Sequence, residues 1–142
     1  MPTQLQSPEI QAFATGFPLT LLHAGVTLLI LVLGTAIYAL LTPHKEIALI
    51  REGNSAAALS LGGVMVGLAI PLAVSLSAST SVVEIAVWGA ATVAVQLLVF
   101  RLVDLVLRGL PQRIQDGEVS AAALLIGAKL ATALVLAAAV AG

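Results

Sequence analysis

The chain contains no cysteine, which excludes disulfides, thiolate metal sites and cysteine nucleophiles and leaves no redox compartment to be read. Charge is nearly as scarce. Charged residues occupy 9% of the 142 positions and hydrophobic residues 60%, whereas a soluble domain carries about 25% charged residues. Mean hydropathy is +1.12. So few charges cannot cover a water-facing surface, so the surrounding solvent must be lipid. The net charge of −1 and the lack of any basic block give nucleic acid no electrostatic footprint. The first basic residue is Lys45, so the basic start of a signal peptide is missing. Histidine is limited to His23 and His44. These fall on opposite sides of the expected membrane and cannot share a metal within one chain. No serine, histidine and acid suggest a nucleophile with its base, and no phosphate loop or dinucleotide fingerprint occurs. The expectation is a non-enzymatic protein without cofactor or metal.

Four long apolar runs are present. A helix needs about 20 apolar residues to cross roughly 30 Å of hydrocarbon, and Leu19–Leu41, Asn54–Leu76, Val82–Leu107 and Val119–Ala141 each supply them. Ahead of the first, Ser7-Pro8-Glu9 has the pattern of a helix start, and Ile10, Phe13 and Phe17 follow at helical spacing. This predicts a short amphipathic helix at the interface within a tail over residues 1–18. Tyr38 sits near the end of the first run, where an amphipathic ring suits the headgroup level. Thr42-Pro43 ends that run, and His44, Lys45, Glu46, Arg51 and Glu52 make a charged connection. Asn54 is a candidate N-cap, Pro71 a kink or exit, and Ser75–Ser81 a polar turn. Ser81 to Glu84 reads as a capping box.

The stretch from Ile50 to Pro71, IREGNSAAALSLGGVMVGLAIP, returns loosely from Ile114 to Val135 as IQDGEVSAAALLIGAKLATALV, 64 residues on. Gly53 matches Gly117, Gly63 matches Gly127, and Gly67 meets Ala131. Ser60, Gly63 and Gly67 in one copy, and Ala123, Gly127 and Ala131 in the other, form rows of small residues. Apolar burial cannot drive helices together in lipid, but close van der Waals contact along such rows can. The expected architecture is all-α: four membrane helices as two tandem hairpins, residues 19–76 and 77–142. They should be related by a pseudo-two-fold axis along the membrane normal, with the second and fourth helices meeting near it and a homo-oligomer expected. Lys45, Arg51, Arg108 and Arg113 gather at the two charged connections, with Arg101 just inside. The positive-inside rule then places these connections in the cytoplasm and both termini in the periplasm. Arg51, Glu52, Asn54, Arg113, Asp116 and Glu118 are the candidate contacts on that face.

Four polar residues interrupt the apolar spans: Gln96, Arg101, Asp104 and Lys129. A Lys near a span's centre costs about 2.5–3.5 kcal/mol on insertion scales and so calls for a partner or a task. Lys129 lies about 200° around the helix from Gly127. If the glycine face packs on a neighbour, Lys129 must meet a second subunit, a partner or a polar cavity, or snorkel to the headgroups. Asp104 is its best counter-ion within the chain. Arg101, Asp104 and Arg108 share one stripe, either as a snorkelling helix end or as a charged opening.

With EGNxAAALxLGGxxxG in the first copy and DGExSAAALLIG in the second, the chain resembles the YjfL-like bacterial inner-membrane family, known as domain of unknown function three-fifty. The resemblance runs from about Leu21 to the C-terminus and is strongest from Glu52 to Gly67. Asn54 is replaced by Glu118 in the second copy. The resemblance implies a four-span protein of the bacterial inner membrane, and membrane maintenance or envelope stress as its setting. It implies no reaction and no catalytic residue. Two functional readings follow. One is an oligomeric scaffold in the lipid bilayer whose cytoplasmic loops recruit a membrane-stress partner. The other is a small channel or transporter subunit using Lys129, Gln96 and the Arg101/Asp104 cluster. The small number of polar residues and their place near one end favour the scaffold.

Overall fold

The computed structural model describes residues 7–42 and 45–142. The first six residues of the expected tail, and Pro43 and His44 of the first connection, lie outside the described residues. The elements in order are α1 (Pro8–Leu41), α2 (Glu46–Arg51), α3 (Ser55–Ala78), α4 (Val82–Val106), α5 (Leu110–Gln115) and α6 (Val119–Ala141). Among the described residues α1, α3, α4 and α6 are long and apolar enough to cross a membrane. The fold is therefore the expected all-α, four-span class.

Helix starts follow their caps. Ser7 accepts from the Ile10 N–H with Pro8 in the first turn, and Asn54 accepts from the Ala57 N–H. Ser81 accepts from the Glu84 N–H, and the Glu84 carboxylate reaches back to the N–H and hydroxyl of Thr80 and to the Ser81 backbone. The short amphipathic helix merges into the first span: α1 is one helix of 34 residues, about 51 Å at 1.5 Å per residue. Pro18 lies inside it and removes only one donor, a loss that membrane helices tolerate. Phe13 and Phe17 stack, centroids 4.8 Å apart, on its exposed face. Pro71 is likewise internal and α3 continues to Ala78, so Pro71 is no exit and the turn narrows to Ser79–Ser81.

The second and fourth spans, α3 and α6, make the most extensive contact in the bundle, and α4 packs on α1, α3 and α6. The α3 row lies in these contacts, with Ser60 and Gly67 buried. A Cβ on Gly63 would stand 2.6 Å from Ile126 Cγ1, and one on Gly67 2.7 Å from Phe100 Cζ. The α6 row departs from expectation, because Ala123, Gly127 and Ala131 are exposed and nothing lies near Gly127. The buried face of α6 includes Ala121, Leu125, Lys129, Ala133 and Ala137, each four residues from the next. The single charge in the helix sets this rotation. Turning Lys129 inward to its counter-ion turns Gly127, about 200° away, outward. Gly67→Leu should therefore lower stability by about 1–3 kcal/mol, the usual cost of overpacking. Gly127→Leu should stay within about 0.5 kcal/mol. Unfolding of the two variants in lipid nanodiscs compares them directly.

The connections share one local geometry. α2 and α5 have six residues each, and each is followed by a glycine in the left-handed region, Gly53 at φ 88° and Gly117 at φ 86°. Glycine reaches that region without steric cost. The closing backbone bonds correspond one for one: Glu52 to Ala48, Gly53 to Ile50 and Asn54 to Leu49, then Asp116 to Gln112, Gly117 to Ile114 and Glu118 to Arg113. The side-chain amide of Asn54 also donates to the carbonyls of Ile114 and Gln115, both at 3.1 Å. That bond ties one connection to the other. Glu118 has no capping bond and instead pairs with Arg113 at 2.6 Å. Arg51, Glu52 and Asp116 are exposed at the same end, called here the loop end.

Candidate functional site: a charged chamber at the loop end

Tyr38 and Thr42 reach the site from the last turns of α1, Glu46 from the first turn of α2 and Ser60 from α3. Arg101 and Asp104 come from α4, and Lys129 comes from the middle of α6. The convergence follows from the packing of α2 on α3 and of α4 on both α3 and α6. Lys129 Nζ lies 2.9 Å from Asp104 Oδ1, with the two side chains 1% and 10% exposed. The expected counter-ion is thus the actual one. Arg101 approaches Asp104 at 3.9 Å from a more open position.

Lys129 also donates to the Tyr38 hydroxyl at 2.5 Å. Its ammonium sits 4.7 Å from the centroid of the Tyr38 ring and 5.5 Å from that of Phe100. The two rings meet edge to face, 6.3 Å apart. Cations are attracted to the negative face of such rings, more strongly where water is excluded. The sequence places Tyr38 at the headgroup level. The structure instead buries it at 2% exposure, because the hydroxyl has an internal partner in Lys129 and the ring a wall in Phe100.

Beside the ion pair lies a cavity of about 160 Å³, lined in part by Tyr38, Thr42, Glu46, Ser60, Arg101 and Asp104. By sequence Glu46 is only one member of a charged connection, yet it is 3% exposed. Among the described residues no hydrogen-bond donor meets its Oε2. Burial raises its pKa from the ordinary 4.5 to about 7; the Lys129 charge lowers it in part and the Asp104 carboxylate raises it again. A polar group buried without a partner carries a desolvation cost of about 1–3 kcal/mol. A chamber of this size and lining has room for water to meet such a group.

Further along the bundle, Gln96 is fully buried and donates to the Thr132 hydroxyl at 3.3 Å. That hydroxyl donates to the Lys129 carbonyl at 2.7 Å. The Gln96 Oε1 has no hydrogen-bond partner among the described residues. Toward the opposite end the buried side chains are mainly apolar, Leu72, Ile85 and Val93 among them, with Thr92 and Ser75 also buried there. A second cavity, lined by Ser75, Ser79, Glu84 and Trp88 among others, lies at the opposite end. The four intramembrane polar residues thus belong to one half of the bundle. Arg108 stays apart and donates to the Leu105 carbonyl in its own helix.

Comparison with known proteins places the chain in a family. The family model described as Domain of Unknown Function (DUF350) matches residues 12–140. The inner membrane protein YjfL of Escherichia coli strain K12 is 35% identical over 97 residues, which covers 68% of this chain and 72% of YjfL. The YjfL of Escherichia coli O157:H7 matches equally. No solved structure matches the chain.

Proposed function

Because the chain belongs to the DUF350 family and is similar to an inner membrane protein, it is an integral, multi-pass inner-membrane protein. We propose that its activity resides in the charged chamber, where it handles a proton or small ion as a subunit of a small channel or transporter. The observation that carries this reading is the Lys129–Asp104 pair, held by Tyr38 and set against the buried carboxylate of Glu46. Intramembrane charges are costly to retain, and they mark ion and proton routes where they occur. The reading assigns no catalytic reaction to the chain.

Orientation and assembly belong to the same proposal. With the loop end in the cytoplasm and both termini in the periplasm, the chamber opens toward the cytosol. The matching connections at Gly53 and Gly117 support a duplicated hairpin with its pseudo-two-fold axis along the membrane normal. Because buried side chains such as Leu72 and Val93 fill the bundle beyond Gln96, a route across the membrane needs either a second conformation or neighbouring subunits. The exposed row Ala123, Gly127 and Ala131 gives neighbouring copies a face that permits close approach.

The scaffold reading has one observation in its favour. Asn54 fixes the two connections to each other, and the exposed charges around them, Arg51, Glu52, Arg113, Asp116 and Glu118, form one polar face for a membrane-stress partner. Reconstituted vesicles separate the two. Dissipation of a proton or ion gradient in vesicles holding the chain, above protein-free vesicles, is the expected result. Absence of flux, with partner capture that is lost on changing Arg51 or Arg113, would replace transport with the scaffold.

A further inference from the structure

The chamber contains two carboxylates in different circumstances. Asp104 is neutralised by Lys129 at 2.9 Å and approached by Arg101 at 3.9 Å. Neither Glu46 Oε2 nor Asp104 Oδ1 has an aligned hydrogen-bond donor among the described residues, but Glu46, 3% exposed, also lacks an ion-pair partner among them, whereas Asp104 has two. The groups facing Glu46 are Tyr38 and Thr42 from α1, Ser60 from α3, Arg101 and Asp104 from α4, and Lys129 from α6. α5 contributes only the apolar Pro111 and Ile114 to the wall. With Asp104 already matched, Glu46 is the remaining acceptor of positive charge. It sits in the short helix α2 at the loop end, at the boundary between the chamber and the aqueous phase.

We infer that Glu46 is the group through which the chamber exchanges protons with the water at the loop end. The species taken up is hydronium rather than a metal cation or an anion. In the forward step hydronium gives its proton to Glu46 Oε2, an O–H bond forms, and one water molecule is released. The reverse step returns the proton to water. Ligand number and size select the proton. Glu46 Oε2 is a single free oxygen, whereas a metal cation needs several oxygen ligands, and an anion would face two carboxylates. A proton adds no bulk and neutralises the buried carboxylate where it stands. The upward displacement of the Glu46 pKa, caused first by burial, agrees with this assignment.

The inference rests on the reading of the chamber as the working site, and its test does not need transport. Infrared difference spectra of the full chain in lipid nanodiscs report the protonated carboxyl group as a function of pH. The expected result is a carboxyl that releases its proton near neutral pH, is missing in Glu46→Gln, and titrates at lower pH in Asp104→Asn because a neighbouring negative charge is gone. If Glu46→Gln does not fold, judged by its migration in mild detergent, the shift in Asp104→Asn decides. A carboxyl that titrates only in the ordinary acidic range would overturn the inference. So would a neutral titration that persists in Glu46→Gln or does not move in Asp104→Asn. A neutral titration lost in Glu46→Gln, in a protein that supports no flux, upholds Glu46 as the proton site and removes transport instead.

Discussion

Lys129→Leu should destabilise the bundle by about 3–5 kcal/mol, the usual cost of breaking a buried ion pair from one side. The loss comes less from the missing attraction than from what stays behind. Asp104 is 10% exposed and would keep only Arg101, which already stands at the long distance of 3.9 Å. Tyr38, 2% exposed, would lose the donor to its hydroxyl. One effect works in the other direction. Replacing Lys by Leu removes the roughly 2.5–3.5 kcal/mol insertion penalty of a central Lys. That penalty applies to an isolated helix, however, and in the native bundle Asp104 has already offset it. Replacing both partners, Lys129→Met with Asp104→Leu, removes the orphaned carboxylate as well as the pair and leaves only the Tyr38 hydroxyl without its lysine donor, so it should recover most of the loss, since paired replacement by apolar groups is often neutral. Unfolding in mixed micelles of the two single variants and the double variant gives the coupling energy. A single Lys129→Leu variant as stable as native would mean that Lys129 reaches water instead of Asp104.

The second large effect is on pH dependence. Glu46 has a pKa of about 7 when α2 is docked, against 4.5 for the ordinary group, mainly because burial disfavours its charge. When α2 separates from the bundle, Glu46 meets water and its ordinary pKa returns. Below about 4.5 both forms hold the proton and the full contribution to docking is present. Between 4.5 and 7 the docked form keeps a proton that the separated form has released, so docking weakens as pH rises. Above about 7 both forms are ionised and the loss levels off. The total is on the order of 3 kcal/mol, at about 1.4 kcal/mol for each pH step between the two pKa values. Amide hydrogen exchange in α2 should therefore quicken across this window, and Glu46→Gln should flatten the dependence. Exchange in α2 that slows as pH rises, after correction for the intrinsic chemical rate, would contradict the placement of Glu46.

Much of this architecture is legible in local patterns. Val119–Ala141 matches the expected span, and the caps at Ser7, Asn54 and Ser81 lie where short polar residues precede apolar runs. The Lys129–Asp104 pairing follows from scarcity, since a buried charge in so apolar a chain has few possible partners. What stays hidden depends on rotation and on packing over long distances. The small-residue row of α6 looks equivalent to that of α3, but small size does not say which way a helix turns, and one lysine outweighs three small residues in that choice. Tyr38 near the end of a run looks interfacial until α6 supplies a cation beside its hydroxyl. Glu46 sits in a segment with His44, Lys45, Arg51 and Glu52, where every charge reads as solvated. Its burial arises only when α2 folds back on α3. A usable signal is nonetheless present: Leu49 and Ile50, three and four residues after Glu46 in EIALIR, put an apolar helical face inside a charged connection, and both pack against the core.

The central claim is that the buried charges are retained for what they do and not for how they hold the helices. Flux through reconstituted vesicles, measured for native chain and for Lys129→Met with Asp104→Leu at matched stability, tests it most directly. The account predicts that the double variant folds, inserts and loses the flux. A double variant that folds and conducts like the native chain would contradict it.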